Sequence, residues 1–524
     1  MNKYELYIKE LFSNPTSVML GQELTNNLMR KFIGLKADYA RKIIQRAVSN
    51  RIINSSSPIT FGKKQYAYYN RSYKLDYNSV LKLCKNSRPP IYRLLSIIKS
   101  NKGIISYYEA LKITGSPLKK SSSKISQLGD IINTLSALDI IEITKDSRNI
   151  IYIIDSKKVA NPQVLIDSHF DNMTIDAAFL PDLLRWLQNH NLIDNKNIVF
   201  RNKNKPTLGA THNNFVWDAF AYTNTTGLSP ILHKNSTSEE KKTLVVIDVV
   251  ISRKYTIHDL EGFIGRIQVV RNSVKTGVRK ILPIVIYKNT SFNVTNKIKA
   301  YGLLNFNLGT VYGEKIYEII ENFQLVKSHE FLGTKDYVKK MNFLLSSIRD
   351  SGQENNLQNI KGDLFESLMY PVVSGIYPAS SIVQSMDLRK IKDVDEKEYY
   401  EYDYVVYSHN QNEIVIFEMK GLKSSTVIPY GDYNTKYTVK WFTGRTLPFA
   451  KKVLKCTSDM PVKGCYITTA KFDEESLKNL KELNKGKLKP NQLDFYYDGE
   501  MLLSLLEKKG LANVKKIVQK YYIE

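Results

Sequence analysis

Residues 414–421 read Ile-Val-Ile-Phe-Glu-Met-Lys-Gly, four apolar residues running straight into a charged triplet. Side chains alternate across a strand with period two, so Glu418 and Lys420 share one face and Met419 takes the other. The apolar run suits a strand at the centre of a sheet covered on both faces. A carboxylate in that setting is costly unless a cation or a metal partners it. Fifteen positions before Glu418, residues 402–407 (Tyr-Asp-Tyr-Val-Val-Tyr) read as a second strand. The polar link Ser-His-Asn-Gln-Asn-Glu suits a tight antiparallel turn that brings Asp403 near Glu418. Further upstream, Leu364, Phe365, Leu368 and Met369 recur at helical spacing and leave Glu366 free to look toward the sheet.

A helix Glu, then Asp, then Glu-x-Lys at a strand end is an order that resembles the PD-(D/E)xK nuclease superfamily, with its restriction-endonuclease-like fold, over roughly the last third of the chain. A helix holding Arg445 to Lys455, a strand at Gly464–Thr469 and the segment Leu-Asp-Phe-Tyr-Tyr-Asp-Gly-Glu-Met-Leu-Leu-Ser-Leu-Leu follow. That last segment looks like the strand, Asp-Gly turn and closing helix of Mrr-type restriction endonucleases. Two departures stand out: Tyr402, not Pro, precedes Asp403, and Glu418 stands where the Mrr type usually carries Gln. The resemblance therefore names the superfamily and no particular member.

Hard carboxylate oxygens suit Mg²⁺, with Mn²⁺ as a substitute, and the ion would activate water and clamp a phosphate. Asp403 and Glu418 are the expected ligands, and Glu366 a further ligand or a water-mediated support. The resemblance implies that the carbonyl of Met419 completes the coordination. Lys420 would position the attacking water and stabilise the phosphorane.

The chain has 524 residues, 43% of them hydrophobic and 24% charged, too long for one core. Cys84, Cys456 and Cys465 make neither a disulfide framework nor a zinc quartet, and the histidines lack the i, i+4 pairs of a zinc helix. A reducing cytoplasm is the expected compartment, for the first residues do not read as a signal peptide and no run approaches the ~20 apolar residues of a membrane span. Net charge is +25. Residues 1–160 carry 27 Lys and Arg against 11 Asp and Glu, a far larger excess than in the rest of the chain. Such a basic portion is the footprint of a polyanionic partner, here DNA, expected as duplex.

Within 1–80 three helical patterns precede a hairpin, which resembles a winged helix. Its third helix would read a major groove with Lys36, Arg41, Lys42 and Arg46, and its wing would carry Lys63 and Lys64. Residues 88–158 repeat the scheme, with Lys119, Lys120 and Lys124 at the start of the third helix and Lys145 and Arg148 at the wing tip. Docking onto protein is the competing use of either module.

Residues 156–175 read as a connection. An α/β domain is expected over 165–330 and the nuclease-like domain over 340–524, so the fold class is multidomain α/β. The central stretch echoes the C-terminal one. Asp218 takes the place of Asp403 and Asp248 that of Glu418, but Val250 stands where Lys420 would be. A degenerate, inactive restriction-endonuclease-like copy is one expectation, and an unrelated α/β domain whose aspartates cap strands is the other. Arg253, Lys254, Arg266, Arg271, Lys275, Arg279 and Lys280 follow it, as a DNA-backbone surface or a solvated helix face.

Together these readings point to a metal-dependent DNA endonuclease, targeted by its N-terminal modules, in restriction or anti-phage defence. A homodimer or a partner protein of a multi-subunit system is compatible with cutting both strands. The alternatives are a DNA-binding regulator or replication or transposition factor, and a nuclease subunit released by a partner or ligand.

Overall fold

The computed structural model describes the chain except residues 120–126, 159, 195, 204–208, 224–242, 274–279, 329–330, 332–333, 335, 390–398 and 456–457. It is a mixed α/β protein of two compact units: Met1–Leu180 with Leu187–Asn307, and Pro181–Trp186 with Leu308–Glu524. The division falls earlier than the expected boundary near 330–340. The reason lies in helix Ile316–Lys327, which buries Ile316, Ile319, Ile320, Phe323 and Val326 and packs on helix Tyr337–Asp350 of its own unit. Among the described residues no helix is long and apolar enough to cross a membrane.

The first unit opens with helices Lys3–Leu11, Gly21–Lys31 and Ala37–Ser49. Asn2 starts the first helix through a capping box with Glu5. Ala40, Ile43, Ile44 and Ala47 form the buried stripe of the third, packed with Ile8, Leu24 and Leu28. Burial of such side chains contributes about 1.5–3 kcal/mol each for the larger ones. Strand Ala67–Asn70 lies between Val18–Leu20 and Ile53–Ser55, so the expected hairpin is a three-stranded antiparallel sheet. The second module repeats this order. Helices Pro89–Ser100, Tyr107–Thr114 and Leu128–Ser136 accompany a sheet in which Ile151–Asp155 separates Ile104–Ser106 from Ile141–Lys145. Helix Tyr77–Ser87, capped by Asp76, joins the two modules. The expected connection at 156–175 is largely the helix Pro162–Ala178, begun by Pro162 in its first turn.

Two five-stranded sheets follow, one in each unit, and they share one plan. In the first, Ala219–Thr223 pairs antiparallel with both Val199–Phe200 and Thr243–Tyr255; Thr243–Tyr255 then runs parallel to Ile281–Thr290, and that strand parallel to Leu304–Asn307. In the second, Tyr399–Ser408 pairs antiparallel with Ser381–Arg389 and Glu413–Lys420; Val462–Thr468 and Tyr496–Tyr497 continue in parallel. The registers agree as well. Ala219 faces Ile247, and one step further sets Asp218 across from Asp248; Tyr404 faces Phe417, and one step sets Asp403 across from Glu418.

Candidate active site and its sealed counterpart

In the second unit Asp403 Oδ2 accepts the Met419 amide at 2.6 Å, which fixes the carboxylate against the neighbouring strand. Lys420 folds back along its own face. Its Nζ lies 2.7 Å from Glu418 Oε1, 3.3 Å from Asp403 Oδ2 and 3.0 Å from the Met419 carbonyl. Three hard oxygens thus converge on one cation. Burial, with Asp403 close by, pushes Glu418 above the usual carboxylate range although Lys420 pulls it down. Burial also opposes charge on Lys420, but Asp403 and Glu418 outweigh it and hold the ammonium well above the ordinary lysine value.

Glu366 stands on helix Gln358–Leu368, whose Leu364, Phe365 and Leu368 are buried. Its carbonyl accepts the Tyr404 hydroxyl at 2.8 Å, and its charge helps to keep Lys420 protonated. Gly421 is what lets this helix come so near the strand end, because a Cβ there would collide with the Phe365 side chain. Among the described residues no group of three or more His, Cys, Asp and Glu side chains is placed to hold a metal. Glu366 therefore completes no three-carboxylate set with Asp403 and Glu418. Asp403, Glu418 and the Met419 carbonyl do fit a divalent cation. They converge where a positive charge already sits, and two carboxylates with retained waters are what Mg²⁺ accepts.

The first unit holds a second pair. The Val249 amide donates to Asp218 Oδ2 at 2.8 Å, the counterpart of the Met419 bond to Asp403. Val250 supplies no ammonium, but Lys112 does, from helix Tyr107–Thr114 of the second module: its Nζ donates to Asp218 and lies 3.1 Å from Asp248 Oδ1. Arg266 reaches Asp248 at 3.0 Å, Arg201 approaches Asp218 at 3.6 Å, and the Tyr255 hydroxyl donates to Asp248 at 3.2 Å. Gly262, on helix Ile257–Arg271, permits the close approach of helix Tyr107–Thr114, since a Cβ there would lie 2.6 Å from the Lys112 carbonyl. Exposure separates the two pairs. The side chains of Asp403, Glu418 and Lys420 keep 18%, 12% and 16%, whereas Asp218, Asp248 and Lys112 keep 0%, 1% and 8%. The first unit's carboxylates are closed off from solvent and fully engaged by protein cations.

Sequence reasoning missed Lys112 because it lies more than a hundred residues from the aspartates, and Arg201 because it is a lone basic residue outside any motif. Of the basic residues expected to face DNA after Asp248, Arg253 and Arg266 instead serve the interior, Arg253 as a bidentate partner of Asp259. Lys254, Arg271 and Lys280 are exposed, and Lys275 and Arg279 lie outside the described residues. In the first module Lys36, Arg41, Lys42, Arg46, Lys63 and Lys64 are all exposed, with Arg41 paired to Asp38 at 2.9 Å. In the second, Lys119 is exposed, Lys120 and Lys124 lie outside the described residues, and Arg148 is held by Asp146 and Asp167 over the Phe170 ring. Helix Tyr107–Thr114 is buried from Tyr108 onward and packs against other elements of its own unit.

No family model, curated protein or solved structure matches this chain.

Proposed function

We propose that the chain is a metal-dependent DNA endonuclease of the PD-(D/E)xK, restriction-endonuclease-like kind, working at Asp403, Glu418 and Lys420 and brought to DNA by its first N-terminal module, read as a winged helix. The observation that carries this is the convergence of Asp403, Glu418 and the Met419 carbonyl on a single cationic point at the end of an otherwise apolar strand. Asp403, Glu418 and that carbonyl would hold Mg²⁺ or Mn²⁺, which supplies an acidified water and a clamp on the phosphate. Lys420, once drawn off the carboxylates, can orient the attacking water and face the charge that builds on the phosphorus oxygens. Glu366 backs the site through water. Restriction or anti-phage defence is the setting such an enzyme suits, by analogy of fold.

The test is incubation of the purified chain with plasmid, linear duplex, single-stranded DNA and RNA in Mg²⁺, with and without EDTA. Cleavage that EDTA abolishes and Glu418→Ala lacks supports the reading. Metal-independent retention of DNA without cutting would favour the regulator instead.

The binding of DNA has its own expected outcome. Reversing Arg41, Lys42 and Arg46 to Glu should weaken duplex binding and lower the slope of log affinity against log salt by about 3, near 0.9 for each phosphate no longer neutralised. Filter binding across a salt series reads it, and an unchanged slope would make the first module a protein-docking element.

A further inference from the structure

Tyr466 is the cross-strand neighbour of Glu418 in the parallel pair of strands, and its side chain has no exposure. Its ring packs edge-on against Phe442 and Phe472. Its hydroxyl is buried and has no hydrogen-bond partner. Leaving such a donor unmade is destabilising, and phenylalanine at the same place would avoid that cost. Tyr152, Tyr312 and Tyr521 carry unpartnered hydroxyls too, so the lack of a partner does not by itself single out Tyr466. Register does: Tyr466 stands beside a candidate ligand, and the charges of Glu418, Lys420 and Asp403 all act on it. In the sealed counterpart the carboxylate equivalent to Glu418, that of Asp248, does receive a tyrosine hydroxyl, from Tyr255 at 3.2 Å.

The ammonium of Lys420 now satisfies Glu418 at 2.7 Å. For Lys420 to serve a phosphate it must leave that carboxylate. Glu418 would then have one oxygen toward a cation and need a donor for the rest, because metal-binding carboxylates are themselves hydrogen-bonded by outer groups that orient them and tune their affinity. We propose that the Tyr466 hydroxyl is that donor, a positioning residue that takes over Glu418 when Lys420 departs. The inference rests on the nuclease reading above and adds to it the residue that lets the lysine exchange partners without stranding a buried carboxylate.

The experiment is Mn²⁺ titration by calorimetry, with thermal unfolding of the metal-free full chain, for the unaltered protein, Tyr466→Phe and Glu418→Ala. The expected result is that Tyr466→Phe unfolds at the same temperature or higher without metal, yet binds Mn²⁺ about 10- to 100-fold more weakly, the range typical when outer-shell partners are removed, while Glu418→Ala loses the site. Equal Mn²⁺ affinity in Tyr466→Phe overturns the inference and leaves the nuclease reading standing. A lowered unfolding temperature without metal also overturns it, because the hydroxyl would then have a structural partner. Absence of Mn²⁺ binding in the unaltered protein overturns the nuclease reading itself.

Discussion

Lys420→Ala is expected to cut DNA about 10²- to 10³-fold more slowly than the unaltered chain while binding Mn²⁺ more tightly, since a positioned charged donor is worth about that factor in rate. The two effects have one origin. The lysine ammonium occupies the oxygens of Asp403, Glu418 and Met419 for which a divalent cation would have to compete. Removing the ammonium relieves that competition and leaves two facing carboxylates, one of them already pushed up by burial and by its neighbour, that a cation would satisfy. The rate falls because no charged donor then meets the oxygens that gain charge in the transition state. Single-turnover cleavage and Mn²⁺ titration measure the two halves separately. Cutting at the unaltered rate would remove Lys420 from the chemistry, and weaker Mn²⁺ binding would mean that the lysine supports the site and does not compete for it.

The second large effect is one of stability. Lys112→Met should destabilise the first unit by about 3–5 kcal/mol, the usual cost of stripping one partner from a buried ion pair. Asp218 and Asp248 would face each other with Arg201 and Arg266 as their remaining cations. Adding Asp218→Asn should restore much of the stability, because it removes the charge that Lys112 balanced. Urea unfolding of the two variants tests this, and a double variant no better than the single one would mean that Lys112 acts by packing alone. The pH dependence has a definite sign. Burial disfavours the charged lysine, but Asp218 and Asp248 raise its pKa above the ordinary value. Its contribution is therefore complete below the unfolded lysine pKa and lost only as pH climbs through the higher folded one, so the lock holds across the neutral range. Metal-dependent cutting should survive in the double variant, because the proposed chemistry is assigned to Asp403, Glu418 and Lys420 and not to the sealed pair.

Both sheets are legible at the level of strands because their central strands are apolar runs ending in charge. The turn after Ser408 is short enough to set the register, and the register places Asp403 against Glu418. The echo between the two halves extends to strand order and to the amide that holds each aspartate, Val249 in one and Met419 in the other. What stays hidden depends on partners distant in the chain. Lys112 sits in an ordinary helical pattern, and only tertiary packing turns it inward onto two aspartates more than a hundred residues away. Helix Pro162–Ala178 reads as a connection because its buried residues, His169 and Asp176 among them, make no clean apolar stripe. The unit boundary escapes the sequence because the helix Ile316–Lys327 declares its allegiance only through the helix it packs against.

The sealed pair also bears on reversibility. Since Val250 occupies the place that Lys420 has in the other sheet, Val250→Lys looks like the single step that would rebuild a second working centre. It would instead press a further ammonium into a dry space already filled by Lys112 and flanked by Arg266. Opening that space would mean lifting a whole helix, whose backbone touches Gly262 without room for a methyl group. The space is closed from outside the strand that carries the valine, so putting a lysine there cannot reopen it.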